Sequence, residues 1–299
     1  MGLNKIYTSG NPSSNTDIHV TVINGRTFAT PGKDVGLGNH LSVDNKTNRY
    51  WVATIYGGSA VARDGTTDSI VATVNIGNTY CPIATTYDFF KSRIWVGAQC
   101  GGGNDPVFAI DANTYAISAG PIGSGGIMGP IIANGANGRL YLEILENTAE
   151  ISKRVDPTTF VVTPNAFGLV MAINAHTNRL YALSGNTLQI INGTQDPEVI
   201  LANIPLGYTP GSMGINTAFN YLYITNPAGR SIQVRNGSTG ALITTFSLAT
   251  GVMPSGAMAV DSIRGRIYVI QNPSGNSGPA LLVIEDLINA TKPNCVLSH

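Results

Sequence analysis

Asn48-Arg49-Tyr50-Trp51-Val52 is one copy of a short motif that recurs along the whole chain. Trp51 of this motif has aromatic counterparts at nearly constant spacing along the chain, with successive separations of 44, 44, 46, 40, 42 and 45 residues. The seven aromatic residues are Tyr7, Trp51, Trp95, Tyr141, Tyr181, Tyr223 and Tyr268. A period of this length is typical of a supersecondary unit that buries its apolar face only by stacking on neighbouring copies.

Each repeat carries two turn signals. The position three residues before the aromatic holds Asn, Ser or Gly, and the position seven before holds Asp or Asn, which together predict a hairpin turn. A second signal, such as Asp64-Gly65 or Asn236-Gly237, supplies the positive φ that two-residue hairpin turns require. Each unit therefore reads as four antiparallel strands, here A to D from the inside out. Repeated about an axis, such units predict an all-β, seven-bladed β-propeller.

The two ends of the chain predict how the ring of blades closes. The first repeat has no strand before Tyr7, whereas residues 296–299 fall where residues 41–44 fall in the second repeat. The C-terminal strand is thus expected to complete the first blade and close the ring. The predicted blades, in one domain of residues 1–299, are 296–299 with 1–38, 39–80, 81–128, 129–167, 168–209, 210–254 and 255–292.

The motifs resemble the YVTN-type repeats of bacterial and archaeal surface-layer and secreted propellers. The segments that carry this resemblance are Asn48-Arg49-Tyr50-Trp51-Val52, Asn178-Arg179-Leu180-Tyr181 and Gly265-Arg266-Ile267-Tyr268-Val269, with the turns Asp64-Gly65-Thr66, Asn192-Gly193-Thr194 and Asn236-Gly237-Ser238. The resemblance spans the chain, but its motifs specify a blade and not a chemistry. The fourth repeat departs from it, with Glu143, Glu146 and Glu150 after its aromatic and no Gly in its second turn.

The amino-acid composition limits which partners and which cellular locations are expected for the protein. Charged residues make up 11% of the chain, against about 25% in ordinary soluble domains. There are 17 basic and 17 acidic residues, and the basic ones follow the repeat instead of clustering, so nucleic acid is not an expected partner. The chain lacks an apolar stretch long enough to span a membrane. Low charge and the resemblance favour an extracellular or cell-surface protein, with the periplasm as an alternative.

The three cysteines raise two separate hypotheses. Cys81 precedes strand A of the third blade and Cys100 follows its strand B, so both lie at one rim of antiparallel neighbours. A disulfide between them is compatible with secretion, and free thiols are the alternative. Cys295 and His40 both fall eleven residues before the aromatic of their blade, counting across the chain ends for Cys295. They could act as a nucleophile and base or as two metal ligands, or be structural; the sequence offers no third ligand and predicts neither a metal site nor a particular cofactor.

The same rim presents candidate ligand-binding residues on the loops that join strands D to A and B to C. A concave mouth lined by aromatic side chains with a few polar groups is the usual pattern of a ligand site, although such residues can also pack loops together. The candidates are Tyr80, Gln99, Phe167, Tyr208, Arg230, Met253 and Gln271.

Two functions follow from these observations. The first is a secreted or cell-surface, non-catalytic propeller that binds a glycan, a protein or its own copies through the loop-rich rim. The alternative is a single-domain propeller enzyme, of the lyase or lactonase and hydrolase type, with its site at the same mouth. Its candidate catalytic residues are His40, Glu143, Tyr80, Tyr208 and Cys295. Fold alone does not separate the two.

Overall fold

The chain folds into antiparallel β-sheets throughout. A computed structural model describes residues 5–10, 18–29, 32–38, 40–99, 105–146, 149–254, 256–271 and 280–286. Within these ranges it contains twenty-six β-strands and one 3-10 helix, Ile55–Gly57. The strands form seven sheets, four in a compact unit of residues 1–166 and three in a second unit of residues 167–299.

The first unit contains four meander sheets, in which each strand pairs with the next along the chain. The first sheet is β1 (Lys5–Gly10), β2 (His19–Asn24) and β3 (Lys33–Leu37). The second is β4 (His40–Asp44), β5 (Arg49–Thr54), β6 (Ser59–Asp64) and β7 (Ile70–Asn75). The third is β8 (Cys81–Asp88), β9 (Arg93–Gln99), β10 (Pro106–Asp111) and β11 (Ile117–Gly123). The fourth is β12 (Gly126–Ala133), β13 (Leu140–Glu146), β14 (Ala149–Val155) and β15 (Val162–Pro164).

The second unit contains three sheets of the same design. The fifth sheet is β16 (Leu169–Asn174), β17 (Arg179–Ser184), β18 (Thr187–Asn192) and β19 (Val199–Pro205). The sixth is β20 (Met213–Asn216), β21 (Tyr221–Asn226), β22 (Ser231–Asn236) and β23 (Leu242–Ser247). The seventh is β24 (Met258–Asp261), β25 (Arg266–Gln271) and β26 (Ala280–Glu285). The seven sheets confirm the predicted all-β fold of seven antiparallel blades. The predicted closing strand, residues 296–299, lies outside the described residues.

The turns between strands A and B have the geometry that the repeat predicts. The position three residues before the aromatic adopts positive φ in Asn48, Ser92, Gly138, Asn178, Asn220 and Gly265. The Asp or Asn that opens the turn accepts hydrogen bonds from the backbone ahead of it. The Asp44 Oδ1, for example, accepts from the backbone N–H of Lys46 at 2.9 Å and of Thr47 at 3.2 Å. The local sequence therefore fixes these turns.

The prediction of two-residue turns between strands C and D is wrong. The residue four places after the Asp or Asn donates its N–H to that residue's carbonyl oxygen, as Asp68 does to Asp64 at 2.9 Å and Gly240 to Asn236 at 2.7 Å. Positive φ falls on this later residue, 63° at Asp68 and 72° at Gly240. Gly65 serves a different purpose, since a Cβ there would lie 2.7 Å from the Asn48 Oδ1 of the adjacent turn. Glycine permits this close approach, in which the Gly65 N–H donates to the Asn48 carbonyl at 2.8 Å.

The repeated aromatic residues form the core between consecutive sheets within each unit. Trp51 is fully buried in a cluster with Ile94 and Val96 of the third sheet. Tyr181 is equally buried and clusters with Leu222 and Ile224 of the sixth sheet. Because strands such as β9 are buried on both faces, charged side chains are restricted to turns and edges, which accounts for the low charge content. Within the described ranges, no helix is both long and apolar enough to cross a membrane.

Candidate functional site

His40, the predicted general base, lies at the start of β4 and contacts the adjacent third sheet. Its Nδ1 accepts a hydrogen bond from the backbone N–H of Thr85 at 3.2 Å. Burial lowers the pKa of His40 below 6.5, because the imidazolium form would lose its hydration. A neutral ring whose Nδ1 accepts this bond carries its proton on Nε2. The lone pair that a base would use is therefore already engaged in joining β4 to β8.

The other catalytic candidates lie in separate environments. Glu143 is half-buried on β13, opposite Ser152 of β14. It faces the irregular stretch of β12 between Ile127 and Ile131, and its carboxylate lies where a Cβ of Gly129 would be. Tyr208 packs on the core cluster of the fifth and sixth sheets, and burial raises its pKa to about 12. Such a pKa makes Tyr208 a weak proton donor at neutral pH. Cys295 lies outside the described residues.

The aromatic residues predicted to line a mouth mostly point into the fold. Tyr80 packs edge-on against Phe108 with ring centroids 5.1 Å apart and joins the core of the second and third sheets. Phe167 is buried at 8% exposure. Tyr208 joins a core cluster as well, and Met253 is half-buried. Loop packing therefore describes Tyr80, Phe167 and Tyr208 better than exposed ligand contact does.

The polar candidates divide into exposed and partly buried groups. Gln99 is exposed at the end of β9, and Arg230 is exposed in the turn between β21 and β22, with a φ of 47°. Gln271 is half-buried at the end of β25, and its Oε1 has no hydrogen-bond partner within the described part of the chain. The exposed polar groups are thus carried singly on separate sheets. In the same described ranges, no group of three His, Cys, Asp or Glu residues is arranged to hold a metal ion.

The structure describes one of the two cysteines of the predicted disulfide. Cys81 is exposed at the start of β8 and pairs in register with Gln99, the residue before Cys100. Cys100 lies outside the described residues, so the pairing of these two cysteines stays a prediction.

The structure exposes a different set of large side chains, which sequence reasoning missed. Phe89 and Phe90 occupy the A–B turn of the third sheet with 51% and 54% exposure. Lys91 follows them, with its Nζ 5.3 Å from the centroid of the Phe90 ring. Lys46, in the corresponding turn of the second sheet, donates from Nζ to the Ser92 Oγ at 2.9 Å. We refer to Phe89, Phe90, Lys91 and Lys46 as the turn patch.

The sequence did contain a signal for the turn patch. The equivalent turns of the second and fifth repeats read Asn45-Lys46-Thr47-Asn48 and Ala175-His176-Thr177-Asn178, so two adjacent phenylalanines stand out in a polar context. In the second unit, Phe219 is exposed to a similar degree, 51%, in the A–B turn of the sixth sheet. The A–B turn of the seventh sheet carries Arg264, which is paired with Asp261 at 2.8 Å.

Comparison with known proteins supports the fold and goes no further. No protein-family model matches the sequence, and no curated protein matches it either. A chain of the hydrazine synthase of Kuenenia stuttgartiensis is similar in structure, with a TM-score of 0.65 and 13% identity, covering 91% of this chain and 90% of that one. A chain of a mitotic checkpoint complex has a TM-score of 0.67 and 10% identity, covering 95% and 85%. A chain of a nidogen/laminin complex has a TM-score of 0.51 and 13% identity, covering 82% and 93%. At these identities the likeness establishes the β-propeller fold alone.

Proposed function

We propose that this chain is a non-catalytic binding propeller of the extracellular space, cell surface or periplasm, whose ligand is a glycan, a protein or another copy of itself. The observation that carries this proposal is the turn patch, where two adjacent phenylalanines are half-exposed, whereas the repeated aromatic residues such as Trp51 and Tyr181 are buried between sheets. Exposed aromatic residues that lie side by side are typical of binding surfaces. The resemblance to surface-layer repeats supports the location.

The contacts of the candidate catalytic residues also favour binding over catalysis. The described partner of His40 is a backbone amide, and that of Tyr80 is a phenylalanine ring. An enzyme of this kind would be expected to bring two or more titratable groups to one point. Two of the three solved structures compared above are named as complexes, which is consistent with a binding role for the fold.

One observation favours the alternative of a lyase or a lactonase-type hydrolase. Glu143 places a half-buried carboxylate opposite an irregular stretch of β12, and strand irregularities are common beside active sites. The candidate base and acid of such an enzyme are His40 and Glu143. Purified wild type and the variants Glu143→Gln and His40→Asn would therefore be assayed on a panel of lactones and polysaccharides. Turnover by wild type that both variants lose would establish the enzyme and refute the binding proposal.

The binding proposal is tested by three direct measurements on the whole chain. A glycan array, a selection from a random peptide library and light scattering over a range of protein concentrations report the three expected ligand classes. We expect at least one of them to give specific, saturable binding. If the wild-type protein binds no glycan and no peptide and stays monomeric, the proposal is refuted.

A further inference from the structure

We propose that the turn patch is a docking site for a polypeptide segment in which acidic residues flank an aromatic or aliphatic side chain. This inference rests on the proposed binding function and names the surface and the partner. It is carried by three features of the patch: its rigidity, its continuity across three turns and the sign of its exposed charge.

The patch is rigid because its backbone is held from beneath. The Asp88 carboxylate accepts from the N–H groups of Phe90 at 2.9 Å and Lys91 at 3.2 Å, and its other oxygen accepts from the Arg93 Nε at 2.9 Å. Asp88 is fully buried, so this support is shielded from water. The Phe89 ring packs edge-on against Tyr87 with centroids 4.6 Å apart. A preorganised aromatic pair loses little conformational entropy on binding, which favours a high-affinity contact.

The patch is continuous with the turns on both sides of it. On one side, the Lys46 Nζ to Ser92 Oγ hydrogen bond joins it to the second sheet. On the other, the Phe90 ring lies against Gly138 of the fourth sheet, since a Cβ at Gly138 would be 3.2 Å from the Phe90 Cδ1. The same Cβ would lie 3.1 Å from the Asp88 Oδ2, so glycine at this position permits the close approach of the two turns. The three turns therefore offer an apolar centre with polar flanks, the arrangement of a protein interface.

The exposed charge of the patch is positive. Lys46 and Lys91 are both exposed, whereas the carboxylates of Asp44 and Asp88 beneath them are fully buried. In the neighbouring turns of the fourth sheet, backbone N–H bonds led by that of Thr159 lower the pKa of Asp156, and the charge of Arg139 adds to this effect. The charges of Arg139 and Asp156 are opposite and offset one another. Two ammonium groups beside two phenylalanines complement an acidic segment with an apolar anchor, and they would repel a basic one.

The first experiment identifies what the patch selects. A random peptide library displayed on phage is selected on wild-type protein and, in parallel, on the variant F89S/F90S. Peptides enriched on wild type are expected to combine Asp or Glu with an aromatic or aliphatic residue and to be missing from the variant pool. Enrichment of basic or purely polar peptides, or equal enrichment on both proteins, would overturn the inference.

The second experiment measures the affinity of a synthetic copy of the enriched peptide. We expect F89S/F90S to weaken binding by about tenfold or more, as loss of central aromatic contacts does. The variant K46E/K91E keeps both phenylalanines and is expected to weaken binding and to reverse the sign of its salt dependence, because the new carboxylates repel an acidic peptide. This repulsion is screened between 0.1 and 1 M salt, where the Debye length falls from about 10 to 3 Å. The matched control Phe219→Ser, which removes an equally exposed ring from the A–B turn of the sixth sheet, should bind as wild type does.

The outcomes separate this inference from the proposed function. Circular dichroism spectra and thermal midpoints of all variants establish that each is folded, and K46E/K91E serves as the test if F89S/F90S is not. Glycan binding or self-association that F89S/F90S leaves unchanged would overturn the docking site while leaving the binding function in place. Glycan binding that the patch variants abolish would overturn the polypeptide partner. A wild-type protein without any ligand would remove both.

Discussion

At the scale of single residues, the type of a residue at a strand end does not determine which groups its side chain contacts in the structure. His40 opens strand A of the second sheet, and its described partner is a backbone amide 45 positions along the chain. The sequence predicts that Tyr80, Phe167 and Tyr208 line a ligand-binding mouth, whereas in the structure they pack against or within the core. The amino-acid sequence specifies the chemical group at each position, whereas the stacking of the sheets determines which other residues that group contacts.

His40 is expected to make stability depend on pH. Because burial lowers its folded-state pKa, the unfolded chain binds more protons as pH falls below 6.5, and stability declines in that range. The substitution His40→Asn keeps an acceptor at the position of Nδ1 without the titration, so its unfolding free energy should decline less than that of wild type below pH 6.5. Urea denaturation at several pH values measures this difference, and parallel curves for the two proteins would contradict it.

His40→Leu provides the complementary measurement. This side chain fills space but leaves the Thr85 N–H without its acceptor, which is expected to cost about 1–3 kcal/mol at pH 7. A variant as stable as wild type would show that the hydrogen bond between β4 and β8 does not contribute.

At the scale of structural elements, the turns between strands C and D use two chemically different residues for one geometry. Asp64, Asp111 and Asp156 serve the second, third and fourth sheets, each accepting from two backbone N–H groups. Asn236 makes the same two bonds in the sixth sheet, at 2.9 and 3.0 Å. The third and fourth repeats have Ala112 and Pro157 at the position of Gly65. Their turns form nevertheless, because the Asx hydrogen bonds and the positive φ of Tyr115, 63°, and Phe160, 60°, define the turn.

Replacing the three aspartates with asparagine is expected to preserve the turns and to remove an acid-sensitive contribution. Backbone N–H bonds, led by those of Thr67, Thr114 and Thr159, hold the pKa values of these carboxyls below 3.8. A depressed folded-state pKa gives stability that is present above the unfolded value and is lost as pH falls through the folded one. The thermal midpoint of D64N/D111N/D156N should therefore decline less than that of wild type below about pH 4. An equal decline in both proteins would mean that these turns do not contribute to acid sensitivity.

At the scale of the whole molecule, seven antiparallel sheets account for every described strand, and similar solved structures identify the fold as a β-propeller. The organisation of those sheets into a single domain of residues 1–299 stays a prediction from the repeat. The two compact units, residues 1–166 and 167–299, give a natural division on which to test it.

The tryptophans allow this test without any substitution. Both tryptophans of the chain, Trp51 and Trp95, are fully buried in the first unit. Their fluorescence therefore reports unfolding of the first unit, whereas far-ultraviolet circular dichroism reports all strands. A single cooperative domain is expected to give coincident denaturation curves by the two methods. Curves with separate midpoints would show that the units unfold independently and would contradict the single-domain prediction.

The amino-acid sequence by itself determined the number of sheets, the order of their strands and the A–B turns. These features depend on backbone preferences and on hydrogen bonds within a few residues, as between Asp44 and Thr47. The same local pattern recurs along the repeats of the chain. Only the tertiary structure decided that Gly65 is required by the approach of Asn48, that His40 bonds Thr85, and that Phe89 and Phe90 stay exposed while Tyr80 does not. Each of these depends on which groups from distant parts of the chain meet when the sheets stack, and no local pattern encodes that meeting.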